Sequence, residues 1–346
     1  MRFAHTDDEL EFASAVRSLF DNECPPEVVR AAWPADADKG EGSRAEPDAV
    51  DRLWEQLAQM GVLSVAVDAD DGGFGLDEMA LTPIMIEVGR SAVPLPVAES
   101  AAIVAPLLAS TRDAPRSLAG VMDGSVRVGV DLFDTGRVAH ADVVDACLVR
   151  VGNELHWLAI ELLDRIELDA VDGARHLASV SPSAGEWGDH STLVTNEPDE
   201  VERTIDRAVL ATAAQLVGLG RAMVDLTVGY AKERQQFGAA IGTFQAVKHH
   251  LADAALQLEF ATPAVARAAH SVATGSPDRA RDVSMAKLMA GDAAAVAGAK
   301  ALQVHGGIGY TVEYDLHLFQ KRAWALKRTN GTDAWHRTRV GAALGV

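Results

Sequence analysis

Apolar residues recur at helical spacing over the first part of the chain. Leu10, Phe12, Val16, Leu19 and Phe20 fall on one face, and Thr6 with Glu9 three residues later has the form of a capping box. A second amphipathic helix is predicted over residues 47–60, carrying Val50, Leu53, Trp54, Leu57 and Met60 inward. The stretch between them, 35–47, is rich in Asp, Gly and Glu and reads as a polar loop. Residues 61–92 then run from an apolar segment through an acidic turn with Gly72-Gly73-Phe74-Gly75 into a helix that ends in Glu87-Val88-Gly89-Arg90. Pro94 and Pro96 close it.

The period changes near Gly120. Residues 126–132, 145–151, 155–159 and 165–168 read as short strands divided by Gly, Asp and Asn turns, which predicts a small β-domain. From Asp199 onward the helical period returns. Val209, Leu210, Ala213, Leu216, Val217, Gly220, Met223, Val224 and Thr227 repeat at three and four within 206–233, and two more helices follow over 244–274 and 277–304. The alanines of the last allow close helix packing. The expected fold class is therefore mainly α with a small β-domain, divided as 1–119, 120–196 and 197–346.

Composition narrows the function. A length of 346 residues suffices for two or three packed domains, and 48% hydrophobic residues is ordinary for a globular core. The formal net charge of −19 argues against a nucleic-acid partner. Lys321, Arg322, Lys327, Arg328, Arg337 and Arg339 nevertheless crowd the end of the chain. They suit either an anionic ligand or a solvated face against an acidic neighbour. Two cysteines, Cys24 and Cys147, cannot build a metal site, and no export signal accompanies them, so no disulfide is expected. No metal, no membrane span and a cytoplasmic location are the expectations.

Three short motifs stand in the last third: E-R-Q-Q-F-G over 233–238, Q-V-H-G-G-I-G-Y over 303–310 and T-N-G-T over 329–332. Read alone, the first is a helix end with a glycine cap and the second a turn between helices. Together, at this spacing, they resemble the carboxy-terminal helical domain of the acyl-CoA dehydrogenase family, and the G-G-x-G turn followed by E-x-G-R resembles its amino-terminal passage. The resemblance implies a helical amino-terminal domain, a middle β-barrel, a carboxy-terminal four-helix bundle, an FAD cofactor and an acyl-CoA substrate. It further implies that Arg234, Phe237, Gln245, Gln303, Gly306 and Gly307 hold the ADP half of an FAD shared with a neighbouring subunit, and that Thr332 also binds cofactor. A bidentate arginine suits a pyrophosphate.

Departures from the family's pattern matter as much. Its last motif is usually Y-E-G-T, the glutamate being the base that removes the α-proton, and here the position is Asn330. An amide takes up no proton near neutral pH. A minority branch, including the isovaleryl and long-chain enzymes, places its base just before an arginine at the start of the preceding long helix. Alignment on V-L-A-T-A-A-Q-L-V-G-L-G puts Asp206-Arg207 there, so Asp206 is a candidate relocated base at a helix amino end, although Asp is also common in a first turn. The flavin-ring passages T-E-P-x-x-G-S-D and W-I-T/S have no match, the nearest being 131–136, and Lys321-Arg322 replaces the usual R-D pair. Glu313 matches a structural glutamate of the family. Such a chain resembles the degenerate subunit of actinobacterial α2β2 enzymes that degrade steroid side chains. Three readings stand: that subunit with a homologous partner, a self-sufficient enzyme using Asp206, or a helical scaffold without flavin.

Overall fold

A computed structural model describes residues 4–34, 47–111 and 117–346. Helix α1 (Asp7–Glu23) opens with the expected capping box: Thr6 Oγ1 accepts from the Glu9 N–H at 3.3 Å and Glu9 Oε2 accepts from the Thr6 N–H at 2.8 Å. A short α2 (Pro26–Ala31) follows. The polar loop expected over 35–47 lies, except for Pro47, outside the described residues. Helix α3 (Pro47–Gln59) buries Leu53, Trp54 and Leu57, and the Trp54 indole N–H donates to the Gly124 carbonyl at 2.7 Å.

Helix α4 (Glu78–Arg90) starts on Asp77, whose carboxylate accepts from the Met79 N–H. It lies against the long α7 (Pro198–Glu233) at backbone contact. A Cβ on Gly89 would sit 2.1 Å from the Gln215 carbonyl oxygen, and one on Gly218 would sit 1.9 Å from that of Ile86. The glycine of the E-x-G-R ending is thus needed to let two helices touch. After α4 come a π-helical segment (Ala98–Val104), α5 (Ala105–Ser110) and α6 (Leu118–Met122).

The β-region corrects one expectation. Strands β1 (Val128–Asp131), β2 (Arg137–Val138), β3 (Ala146–Val151), β4 (Glu154–Ala159), β5 (Leu163–Glu167), β6 (Ala178–Pro182) and β7 (Thr192–Thr195) make two sheets, β1-β3-β4-β7 and β2-β6-β5. Among the described residues they do not close into a barrel. Both sheets stop short, and their apolar faces meet over Val138, Cys147, Val149, Leu158, Leu163 and Val180. The sequence pattern found the strands near β1, β3, β4 and β5. It missed β2, β6 and β7, which are short or interrupted by Pro and Ser.

Helix α7 carries the carboxy-terminal bundle. At 36 residues it is long and apolar enough to cross a bilayer by composition, yet 78% of its most apolar window is buried against the rest of the chain, as for a core helix. A small hairpin, β8 (Gln235–Gln236) with β9 (Ala239–Ala240), leads to α8 (Gln245–Ala273) and α9 (Arg279–His305). Ala286, Ala290, Ala293, Ala294, Ala297 and Ala301 are buried along α9, which is why it can pack closely on its neighbours. Helices α10 (Leu316–Arg328) and α11 (Asp333–Leu344) complete the bundle. Because Pro198 and the acidic Asp199 and Glu200 start α7 early, Asp206 is not at its amino end but in the third turn.

Candidate functional site

The usual base position lies in a left-handed turn between α10 and α11. Asn330 (φ +57°) and Gly331 (φ +101°) form it, and Thr332 then caps α11 by accepting from the Trp335 N–H at 3.2 Å. A Cβ on Gly331 would meet His336 and Trp335 at 2.8 Å. The Asn330 amide donates to the Ala208 carbonyl at 3.2 Å and to Thr212 Oγ1 at 2.9 Å, which fixes it on α7. Beneath the turn, the His336 ring lies 3.1 Å from the Asn330 carbonyl and 3.2 Å from Ser284 Oγ. The carbonyl can only accept, so Nε2 carries the proton. Burial, and then the neighbouring Lys287, push His336 down to about 4.

The cleft in front of Asn330 is small and crowded with charge. Glu99, His140, Arg175, Thr212, Arg322 and Thr329 line it, and about 20 Å³ remains. That admits a water-sized occupant, whereas sites for ordinary ligands run to roughly 300–1,000 Å³. Arg322 Nε pairs with Asp172 and its Nη1 donates to the Val93 carbonyl at 2.9 Å. Arg175 donates to Thr329 Oγ1 at 3.1 Å. Burial raises the Glu99 carboxyl against the pull of Arg175, and burial, Arg322 and Arg175 hold His140 well below its ordinary value. The Arg322 that departs from the R-D pattern therefore finds its carboxylate in the β-region. Sequence reasoning missed Glu99, His140, Asp172 and Arg175. One signal was available for Glu99, the lone charge in the run from Ser91 to Ser110.

Six of the seven residues expected to hold cofactor gather elsewhere, on an exposed edge. Arg234 closes α7, its N–H donating to the Tyr230 carbonyl and its own carbonyl accepting from Ile241, both at 2.8 Å. The hairpin it opens turns at Phe237 (φ +53°) and Gly238 (φ +80°), a left-handed pair of the type that suits two-residue hairpins. For a bulky side chain this conformation is an outlier. The Phe237 ring is 94% exposed, with Phe244 at 6.2 Å between centroids. Gln245 begins α8 beside them. One turn before Arg234, Tyr230 stacks on His305 at 4.4 Å, and Tyr314 packs on both rings. This joins the hairpin to the end of α9, where Gln303, Gly306 and Gly307 are exposed. A Cβ on either glycine would find nothing within 4 Å, so the backbone there is open to a flat ligand. Thr332 lies apart from them, exposed at the Asn330 turn, where its hydroxyl oxygen accepts the α11 cap bond. The exposed edge thus has the room and the side-chain chemistry that the ADP half of an FAD would need, whereas the cleft at Asn330 does not fit a flavin ring.

Asp206 belongs to neither place. It is fully buried, with Oδ2 3.0 Å from Arg279 Nε and Oδ1 2.7 Å from Arg339 Nη1. Those arginines also hold Asp199 at 2.5 Å and Glu202 at 2.8 Å. Burial raises its carboxyl while Arg339 and Arg279 pull it back. On the same helix Ala208 and Thr212 face the cleft, and Asp206 points the other way, to α9 and α11. The expected basic cluster also dissolves into separate contacts: Lys321 lies over the Trp33 ring, Lys327 pairs with Asp292, and Arg322 and Arg339 are bound as described. Cys24 and Cys147 are free and buried, and burial pushes both thiols up to about 12.

Comparison with known proteins agrees with this architecture. The acyl-CoA dehydrogenase N-terminal domain matches residues 6–116 and the acyl-CoA dehydrogenase C-terminal domain matches 200–345. Acyl-CoA dehydrogenase IpdE2 of Mycobacterium tuberculosis is 30% identical over 311 residues, covering 89% of this chain and 88% of the relative. Acyl-CoA dehydrogenase FadE34 of the same organism is 32% identical over 328 residues, 86% of this chain and 44% of the relative. Among solved structures, a chain of the ChsE4-ChsE5 complex from Mycobacterium tuberculosis superposes with a TM-score of 0.83 at 21% identity, covering 100% of this chain and 99% of that one. A chain of the Tcur3481-Tcur3483 steroid ACAD variant gives 0.82 at 24% identity, covering 98% of each. At such identities the two structures speak for the fold.

Proposed function

This chain belongs to the acyl-CoA dehydrogenase family, and we propose that within it the chain serves as the subunit that completes a homologous partner's FAD site rather than carrying a reaction centre of its own. The family's cofactor is FAD, which supplies hydride acceptance at the β-carbon of an acyl-CoA thioester. The observation that carries the reading is the contrast between an open edge and a closed centre. Arg234, Phe237, Gln245, Gln303, Gly306 and Gly307 are presented to solvent, while the cleft at Asn330 has about 20 Å³ and no proton acceptor on Asn330 itself.

In this reading the Arg234 guanidinium pairs with a pyrophosphate, Phe237 covers an apolar face of the nucleotide, and the flat backbone at Gly306-Gly307 admits it closely. The α-proton goes to a carboxylate of the partner. Asp206 acts as a structural lock, because it is fully buried between Arg279 and Arg339 and faces away from the cleft. The substrate is a bulky acyl-CoA thioester of the steroid side-chain type, in an α2β2 assembly. The steroid ACAD name of the Tcur3481-Tcur3483 neighbour supports the substrate class, and the ChsE4-ChsE5 complex supports a partner subunit.

Co-expression with homologous candidate partners tests it. The chain purified alone is expected to be colourless, and the complex to show the flavin absorption band and acyl-CoA-dependent bleaching. A yellow, active preparation of the chain alone would overturn the reading.

A further inference from the structure

Three aromatic rings join the two stretches of the exposed edge. Tyr230 sits one turn before Arg234 on α7, His305 is the last residue of α9 before Gly306, and Tyr314 follows the short 3-10 turn Gly306–Tyr310. Tyr230 stacks on His305 at 4.4 Å with 26° between the planes, Tyr314 tilts onto His305 at 4.6 Å, and the two tyrosines meet edge to face at 5.8 Å. We propose that Tyr230, His305 and Tyr314 are positioning residues, which fix the spacing between Arg234 and the Gly306-Gly307 backbone so that both reach one ADP moiety. The inference rests on the shared-cofactor reading above and names what makes the edge a single site.

Each ring is tied to backbone that belongs to the edge. The Arg234 N–H donates to the Tyr230 carbonyl at 2.8 Å, so the hairpin starts from the residue that carries the stack. On the other side the Gly306 N–H donates to the Leu302 carbonyl, and the chain folds back over His305 so closely that a Cβ on Gly309 would lie 2.9 Å from the His305 Cβ. The Tyr314 hydroxyl donates to the Leu226 carbonyl at 3.4 Å, one turn before Tyr230, which pins the far end of this loop to α7. The buried alanines that seat α9 in the bundle end at Ala301. One turn further on, His305 meets α7 through the Tyr230 ring.

His305 acts through its faces. Its Nδ1 lies 2.8 Å from the Ala301 carbonyl, which can only accept, so Nδ1 carries the proton. Nε2 has no hydrogen-bond partner although the residue is only 4% exposed. Burial, against the Ala301 bond, lowers its pKa, which keeps the ring uncharged at neutral pH. A buried nitrogen left without a partner is costly, so it is stacking, and not hydrogen bonding through Nε2, that the ring contributes here. A phenylalanine should therefore serve in its place.

The test is a double-mutant cycle on flavin retention in the assembled complex, read by flavin absorbance after dialysis. Tyr230→Leu and His305→Ala, which remove the stack, are each expected to weaken retention about two- to tenfold. Tyr230→Phe and His305→Phe keep a ring and should retain flavin as the natural chain does. In an Arg234→Ala background, Tyr230→Leu should have little further effect, because the spacing matters only while both contacts are made; a general loss of fold would add in full. A second readout needs no flavin. In the full chain alone, amide hydrogen exchange at 235–240 and 306–311 should rise together in Tyr230→Leu and His305→Ala, and not in the phenylalanine variants. Full additivity, unchanged exchange in both truncations, or retention that falls in Arg234→Ala but in neither truncation would overturn this inference alone. No response to Arg234→Ala itself would overturn the shared-cofactor reading and this inference with it.

Discussion

At Asn330 the backbone enters the left-handed region, which asparagine tolerates and a glutamate reaches only at a cost of about 1 kcal/mol. The side chain is also fixed by Ala208 and Thr212, and the space beyond it is filled. Restoring the family's acid is therefore expected not to restore chemistry. Asn330→Glu should lower the thermal midpoint and leave dehydrogenation by the assembled complex unchanged, and a gain in turnover would mean that this centre can open. Asp206→Asn separates a base from a lock. It removes a charge that two half-buried arginines share, and these keep Asp199 and Glu202, so it should destabilise by about 1.5–3 kcal/mol in denaturant titration while turnover of the complex per folded site stays the same. Lys287 gives a pH signature. It is buried, and its amine is pushed down to about 7 from 10.5 by burial. The unfolded chain holds that proton up to pH 10.5 and the folded chain releases it near 7, so stability should rise with pH across that interval and be lowest below it. Lys287→Met is expected to flatten the slope. Asn330 was legible because its motif is four residues long. The charges around it were not, since Glu99, Asp172, Arg175 and Arg322 come from three distant segments and no local pattern announces their meeting.

Among the elements, the hairpin after α7 holds its strain at the surface. Phe237 adopts a conformation that favours glycine or asparagine, and it does so on the surface, where no packing of its own chain requires it. Strained backbone of this kind costs of order 1–3 kcal/mol and points to a role outside local stability. Phe237→Asn should therefore raise the midpoint of the isolated chain slightly and weaken flavin retention in the complex; a variant that improves both would contradict the role given to the ring. The α4 and α7 contact is the opposite case, a device for the fold alone. Its glycines could be read from the sequence as helix-ending and helix-interior residues, but their closeness to each other could not. The helices themselves followed from periodicity because their buried faces are broad and long. The β-region was half legible: its strands of two to six residues alternate too briefly, and whether two sheets close depends on edges that carry no sequence signature.

For the whole molecule, the same fold holds a closed centre and an open edge, and the proposed division of labour between subunits rests on that asymmetry. The motifs gave the family, and their residues at 234–245 and 303–307 come to lie on the exposed edge. They did not give the closure, which is a property of volume. The most direct test is therefore made on the edge. Arg234→Ala in the assembled complex removes a charge-assisted contact worth about 1.5–3 kcal/mol, so flavin should be retained ten- to a hundredfold more weakly on dilution or dialysis. Flavin content per complex that is unchanged in this variant would contradict a cofactor site shared through this chain.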